Sequence, residues 1–110
     1  RIVNIASIAA YSGGSVSKLA YAASKAGILG MTRSLAKELG PSITVNAICP
    51  GTIKTELTAK AYANKGSEGI SLGRFGTPED IGEVVAFLAS SEPNFITGQA
   101  ITVDGLQSIF

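Results

Sequence analysis

The chain has 110 residues, 45% of them hydrophobic, with 13 glycines and a formal net charge of +1, which suits one small domain that buries a core and turns often. No run of lysine or arginine stands out, which argues against a nucleic-acid partner, and no stretch of about 18 apolar residues is present to span a membrane. Histidine is absent, which removes Ser-His-Asp hydrolysis and His-ligated zinc, and the lone Cys49 has no partner for an internal disulfide, in keeping with a reducing, cytoplasmic setting.

The elements are predicted in chain order as follows. Arg1-Ile2-Val3-Asn4-Ile5-Ala6-Ser7 reads as a short strand, apolar on both faces, which fits a buried parallel strand better than a half-solvated one. The chain thus opens in mid-strand, and its natural start is expected upstream. Residues 10–17, rich in Ser and Gly, predict a loop. Residues 18–39 predict a long helix, stopped by Gly40-Pro41. Small residues crowd that helix: Ala20, Ala22, Ala23, Ser24, Ala26, Gly27, Gly30 and Ser34. Each interior glycine costs about 1 kcal/mol against alanine. Close packing on a sheet or a partner helix offsets that cost, and pairing across a two-fold axis is favoured over packing on the chain's own sheet alone.

Residues 43–48 predict a second strand, ending at Cys49-Pro50-Gly51, and residues 56–64 a weaker helix. Residues 65–76 form a glycine-punctuated loop. Thr77-Pro78-Glu79-Asp80 then opens a clear helix, with Thr77 at the N-cap, Pro78 at the first helical position and acids in the first turn. Ile81, Val84, Val85 and Leu88 give it an apolar stripe. Ala100-Ile101-Thr102-Val103 predicts a third strand, closed by Asp104-Gly105. This order predicts an α/β fold with a parallel sheet and right-handed crossovers.

Chemistry is concentrated at one rim. Tyr21 and Lys25, four residues apart, share a helix face. A phenol titrates near 10, about 3 units from neutrality, a gap worth roughly 4 kcal/mol. A cation about 4 Å away at an effective dielectric near 20 supplies about that much. Taken alone, the pair is more often a tyrosine packed beneath a lysine stem. Ser7 raises its weight, because it ends the first strand, and ligands of open α/β sheets bind outside the carboxyl ends of the strands. By itself Ser7 equally suits a cap or turn hydroxyl. At the end of the second strand, Pro50-Gly51 turns the chain and exposes backbone groups suited to an amide substituent. Thr55 adds a hydroxyl there, or else simply caps the next helix.

With these residues assembled, the chain resembles the short-chain dehydrogenase/reductase family over residues 1–106. The serine-bearing strand is Ile2 to Ser7. The Tyr-x-x-x-Lys element is Tyr21-Ala22-Ala23-Ser24-Lys25, and the Asn-Ala-x-x-Pro-Gly element runs from Asn46 to Gly51, with the family's threonine at Thr55. Gly73-Arg74-Phe75-Gly76-Thr77-Pro78-Glu79-Asp80, Thr97-Gly98-Gln99 and Val103-Asp104-Gly105 also match. The resemblance implies the C-terminal half of a Rossmann-like doubly wound parallel sheet, with residues 1–110 as the catalytic portion of a single domain. The Gly-rich phosphate turn, the adenine-ribose selector and the tetrad asparagine are expected upstream of Arg1. It further implies interconversion of a secondary alcohol and a carbonyl with NAD or NADP, and no metal. Tyr21 acts as proton donor or acceptor. Lys25 lowers the tyrosine's pKa and holds the nicotinamide ribose, and Ser7 binds the substrate oxygen. Pro50, Gly51, Ile53 (through its backbone) and Thr55 flank the nicotinamide. Expected partners are a small-molecule carbonyl or alcohol and further copies of the chain, as a homodimer or homotetramer.

Two departures are visible. Leu106 stands where the family carries a second glycine, and the segment 56–72 is short for the family's substrate lid, which suggests a small or open pocket. The contrasting hypothesis is a non-catalytic truncated fragment acting only as a structural or association module. A lysine Schiff-base enzyme using Lys25 has no further support in the sequence.

Overall fold

The computed structural model describes residues 1–91 and 95–108. They form, in order, β1 (Ile2–Ile5), α1 (Ala9–Ser12), α2 (Leu19–Leu39), β2 (Val45–Pro50), α3 (Glu56–Tyr62), α4 (Pro78–Ala89) and β3 (Ala100–Val103). The strands make a parallel sheet in the order β1-β2-β3, the α/β arrangement expected from alternating strand and helix patterns. Among the described residues no helix is long and apolar enough to cross a membrane.

β2 sits in the centre because it is apolar on both faces, and Val45 to Cys49 are all buried. Alternation places Ala47 and Cys49 on one face, where they meet Ala6 and Leu29 of α2 in the core. Asn46 and Ile48 fall on the other face, and both are essentially inaccessible. Asn46 survives burial because its amide donates to the Ile96 carbonyl and accepts from the Gln99 N–H. α4 packs on β1 and β2 as well, with Leu88 buried and Ile81, Val84 and Val85 half-buried, as its apolar stripe requires. Cys49 is fully buried; burial, the largest cause, pushes its thiol up, against the pull of a hydrogen bond with Tyr11.

Register sets the rim. Ile5 lies level with Ile48, and Pro50 with Val103. The Ile8 amide donates to the Pro50 carbonyl at 3.1 Å. Ser7, Gly51 and Asp104, which follow the three strands, therefore meet at one edge of the sheet.

β3 matches its predicted bounds, α4 starts at Pro78 behind the Thr77 cap as predicted, and the glycine-rich loop before α4 is present. Other bounds differ for local reasons. A short helix, α1, occupies part of the predicted 10–17 loop. The Ser7 hydroxyl accepts the Ala9 N–H at 3.1 Å and so starts it, and Gly13 ends it in the left-handed region at φ 79°. β2 begins at Val45 rather than residue 43, because the Ile43 amide still bonds back to the Leu39 carbonyl at 3.1 Å. It runs on through Pro50, whose carbonyl serves β1's extension. α3 stops at Tyr62. α2 starts one residue later than predicted and ends at Leu39, with Gly40 extended rather than left-handed, as the following proline favours. A side chain at Gly27 or Gly30 would meet nothing within 4 Å, so these glycines do not serve close packing on the chain's own sheet.

Leu106, the departure noted above, lies in the left-handed region at φ 59° and is exposed. Asp104 stabilises this turn by accepting from the Leu106 amide at 2.9 Å and from the Ser108 amide at 2.8 Å. Leucine pays a steric penalty in this region that glycine avoids. Leu106→Gly is therefore expected to stabilise the intact protein by about 0.5–1 kcal/mol, read as a higher denaturant midpoint with an unchanged slope.

Candidate active site

A cleft of about 570 Å³ opens at the rim, lined from three directions, which is within the usual size range of small-molecule sites, roughly 300–1,000 Å³. The segment after β1 supplies Ser7, Ile8, Ala9, Gly14 and Ser15. The start of α2 supplies Lys18 and Tyr21. The segment after β2 and the following helix supply Gly51, Thr52, Ile53, Thr55, Leu57, Thr58 and Tyr62. Five of the seven residues singled out from the sequence thus share one cleft: Ser7, Tyr21, Gly51, Ile53 and Thr55.

The other two, Lys25 and Pro50, do not line it. Lys25 lies one turn below Tyr21, with its ammonium 5.7 Å from the centroid of the Tyr21 ring. It donates to the Ile5 carbonyl at 3.1 Å, which ties the helix to the end of β1 and uses one of its three donors. Pro50 ends β2, its carbonyl taken by Ile8.

Ser7 uses an acceptor site to cap α1, which leaves its O–H as a donor. The turn-hydroxyl role and a ligand role are therefore compatible on one side chain. Tyr21 is 47% exposed toward the cleft, and its backbone carbonyl is held by the Ser24 hydroxyl at 2.7 Å. Thr55 is the N-cap of α3, in a reciprocal box with Thr58: the Thr58 amide donates to the Thr55 hydroxyl at 3.2 Å, and the Thr55 amide to the Thr58 hydroxyl at 2.8 Å. Its capping role is thus seen directly.

The strip carrying Ile53 is braced on both sides. Gly76 bridges it in parallel, the Gly76 amide donating to the Thr52 carbonyl at 3.0 Å and the Lys54 amide to the Gly76 carbonyl at 2.8 Å. That pairing turns the Ile53 amide to the opposite edge, where it has no acceptor among the described residues. A Cβ at position 76 would lie 2.5 Å from Ile53 Cδ1, so a larger residue there would make the end of the Ile53 side chain move. Gln107 grips Thr52 twice, accepting from its amide at 2.8 Å and donating to its hydroxyl at 2.9 Å.

The remaining motifs prove to be braces. Arg74 binds Asp80 through two contacts, at 2.6 and 2.9 Å. The Arg74 guanidinium, aided by the Thr77 amide, holds the Asp80 carboxyl well below the usual carboxylate range. Burial pushes the Asp104 carboxyl up, but hydrogen bonds from Ser108, Leu106 and Gln107 outweigh it and carry it below its ordinary value. At the start of β2, away from the rim, the Thr97 hydroxyl accepts from the Val45 amide at 3.0 Å and the Gly98 amide donates to the Val45 carbonyl at 2.7 Å.

Lys18, Thr52, Leu57, Tyr62 and Gln107 were not anticipated at the site. Lys18 had a sequence signal, since it lies one turn before Tyr21. Thr52 and Gln107 had none, being 55 residues apart.

Gly51 is the tightest point of the rim. A Cβ there would lie 2.6 Å from the Asp104 Cβ and 2.8 Å from its Cα. Backbone of the neighbouring strand cannot yield cheaply, so Gly51→Ala is expected to destabilise the protein by about 1–3 kcal/mol, the usual cost of overpacking. It should also weaken ligand binding at the braced strip, read as a raised KM.

A family model described as enoyl-(acyl carrier protein) reductase matches residues 1–105. The 3-oxoacyl-[acyl-carrier-protein] reductase FabG of Aquifex aeolicus (strain VF5) is 47% identical over 109 residues, covering 96% of this chain and 44% of the relative. Among solved structures, a short-chain dehydrogenase/reductase, glucose/ribitol dehydrogenase, from Brucella melitensis superposes with a TM-score of 0.91 at 38% identity, covering 99% of this chain and 45% of that one. A blue fluorescent protein from a metagenomic library, in complex with NADPH, superposes at 0.89 with 39% identity, covering 99% and 45%. The chain thus spans about half the length of the curated relatives it matches.

Proposed function

The chain belongs to the short-chain dehydrogenase/reductase family, and from that premise we propose that it is the C-terminal catalytic portion of an NAD- or NADP-dependent oxidoreductase. The reaction is interconversion of a secondary alcohol and a carbonyl in a small molecule. The observation that carries this reading is the single cleft holding the Ser7 hydroxyl, the Tyr21 phenol and the braced strip from Gly51 to Thr55.

The residues fit a nicotinamide end. The Ile53 amide is unpaired on the edge away from its bridge, which suits a carboxamide oxygen. Lys25 keeps two donors for ribose hydroxyls. The nicotinamide, when bound, supplies or accepts the hydride. The chain's own groups handle the oxygen. In reduction, Ser7 donates a hydrogen bond to the carbonyl oxygen, and Tyr21 transfers its phenolic proton to that oxygen as it becomes a hydroxyl. The nearby Lys25 ammonium then stabilises the phenolate left behind. Oxidation runs the same proton back to Tyr21. The open side of Leu57 and Tyr62 admits the substrate.

Assembly belongs to this proposal too. The bare surface around Gly27 and Gly30 suits a helix from a second copy, in a homodimer or homotetramer. A cytoplasmic setting accords with this soluble-substrate chemistry and the lone buried thiol.

The test is a steady-state assay of the intact protein with both reduced nicotinamides and a panel of small ketones, 3-oxo acids, 3-oxoacyl thioesters and sugars, following nicotinamide absorbance. Saturable turnover with one or more of them is expected. No turnover in either direction, with cofactor shown to bind, overturns the reading.

A further inference from the structure

Among the described residues lining the cleft, Lys18 alone carries a charge, and none of them is Asp, Glu or Arg. Its ammonium makes no hydrogen bond or ion pair among the described residues; only its backbone is engaged, the amide donating to the Ser15 carbonyl at 3.1 Å and the carbonyl accepting from the Ala22 amide at 2.9 Å. Lys18 is the N-cap residue of α2, without a side-chain cap and with no acid in the first turn. The amides opening that helix thus add positive character to the same corner. Lys18 and Tyr21 are three apart, so their side chains leave the helix on one face with Cβ atoms about 5–6 Å apart. Lys18 packs beside Gly14, where an added Cβ would lie 3.5 Å from the Lys18 Cβ. Both line the same cleft as Ser7 and the strip at Gly51, Ile53 and Thr55.

We infer that Lys18 receives an anionic substituent of the substrate, so that the cleft selects short oxo- and hydroxy-carboxylates over neutral ketones and esters. This rests on the cleft being the substrate site, as proposed above. A substrate whose oxygen meets Ser7 and Tyr21 projects its next few atoms toward Lys18, within one helical turn. A carboxylate there gains a charge-assisted hydrogen bond, and no described residue lining the cleft is an acid that competes for it. A neutral ester or thioester gains no such contact.

The experiment compares 3-oxobutyrate with its ethyl ester and its N-acetylcysteamine thioester, in the intact wild-type protein and in Lys18→Met and Lys18→Arg. The wild type is expected to favour the carboxylate over both neutral forms by between about tenfold and a hundredfold in kcat/KM, the usual range for one charge-assisted bond. Lys18→Met should bring that ratio close to one, and Lys18→Arg should keep most of it. A wild type that prefers the ester or thioester overturns the inference and leaves the oxidoreductase reading standing. So does a preference that survives in Lys18→Met, or an effect confined to the KM of the cofactor. A protein that reduces none of the three and also ignores Tyr21→Phe with every other substrate sinks both.

Discussion

Tyr21→Phe in the intact protein is expected to lower kcat by about a hundred- to ten-thousand-fold, the range a positioned general acid contributes. The substitution removes one oxygen from a ring that is half exposed in the cleft, so folding should be undisturbed. The ring itself, beside the Lys25 ammonium at 5.7 Å, remains in place. Cofactor binding should therefore persist, which fluorescence titration with the reduced nicotinamide would register. A loss in kcat with cofactor affinity retained assigns the proton to Tyr21. Turnover near the wild-type level would take Tyr21 out of the mechanism, and with it the reason for placing chemistry in this cleft. A parallel loss of cofactor affinity would instead show that the phenol serves binding.

The second large effect concerns folding. In residues 1–110 alone, β1 is an edge strand. Ile2 donates to Thr44, just before β2, and Ala6 to Ile48 within it, so Val3 and Ile5 present their backbone groups to the other side. The Ile5 carbonyl is covered there by Lys25. The Val3 groups are left open, and the Ile5 side chain is 43% exposed. Parallel strands of this apolar composition are normally covered on both faces and flanked on both edges, and an open apolar edge recruits other chains. The isolated 110-residue chain is therefore expected to run as aggregate in gel filtration and to melt without a cooperative transition. A longer chain in which a further strand pairs that edge, as the proposed function requires, should do neither. A soluble, cooperatively melting monomer of residues 1–110 would show that the edge is tolerated.

The two effects meet at Lys25. The side chain that stands beside the phenol also covers the Ile5 carbonyl on the edge of β1, so residues 1–110 can gather the proposed catalytic groups while the rest of that edge stays open. That is also why the reading as a mere association module is the weaker one. Its exposed surfaces are those expected of a partial sheet, whereas the shared cleft has no structural purpose of its own.

Much of this was legible from local physics. Thr77, Pro78 and Asp80 mark a helix start wherever they occur in that order, because the cap, the fixed φ of proline and the returning carboxylate satisfy the same few amides. Apolar runs such as Val45-Asn46-Ala47-Ile48-Cys49 declare a buried strand through composition alone. The spacing of Tyr21 and Lys25 places them on one face by helix geometry, and strand polarity brings Ser7 and Gly51 to the same rim. The α1 turn was missed because its start depends on one hydroxyl, that of Ser7, folding back on the chain two residues later. Lys18 was missed although its spacing from Tyr21 was visible, because nothing in the sequence tells which helix face meets a cleft.

Sequence by itself determined the three strands, the longer helices and their order, and it set Tyr21 and Lys25 on one helix face, since these follow from contacts within a few residues. Only the tertiary structure decided which glycines are obligatory and what steadies the strip at Thr52 and Ile53. Gly51 is forced by the approach of the Asp104 backbone, Gly76 lies against the end of the Ile53 side chain, and Thr52 is held by Gln107. These pairs are brought together by register and loop closure across the sheet, and chain separation of that kind leaves no periodic trace in a sequence.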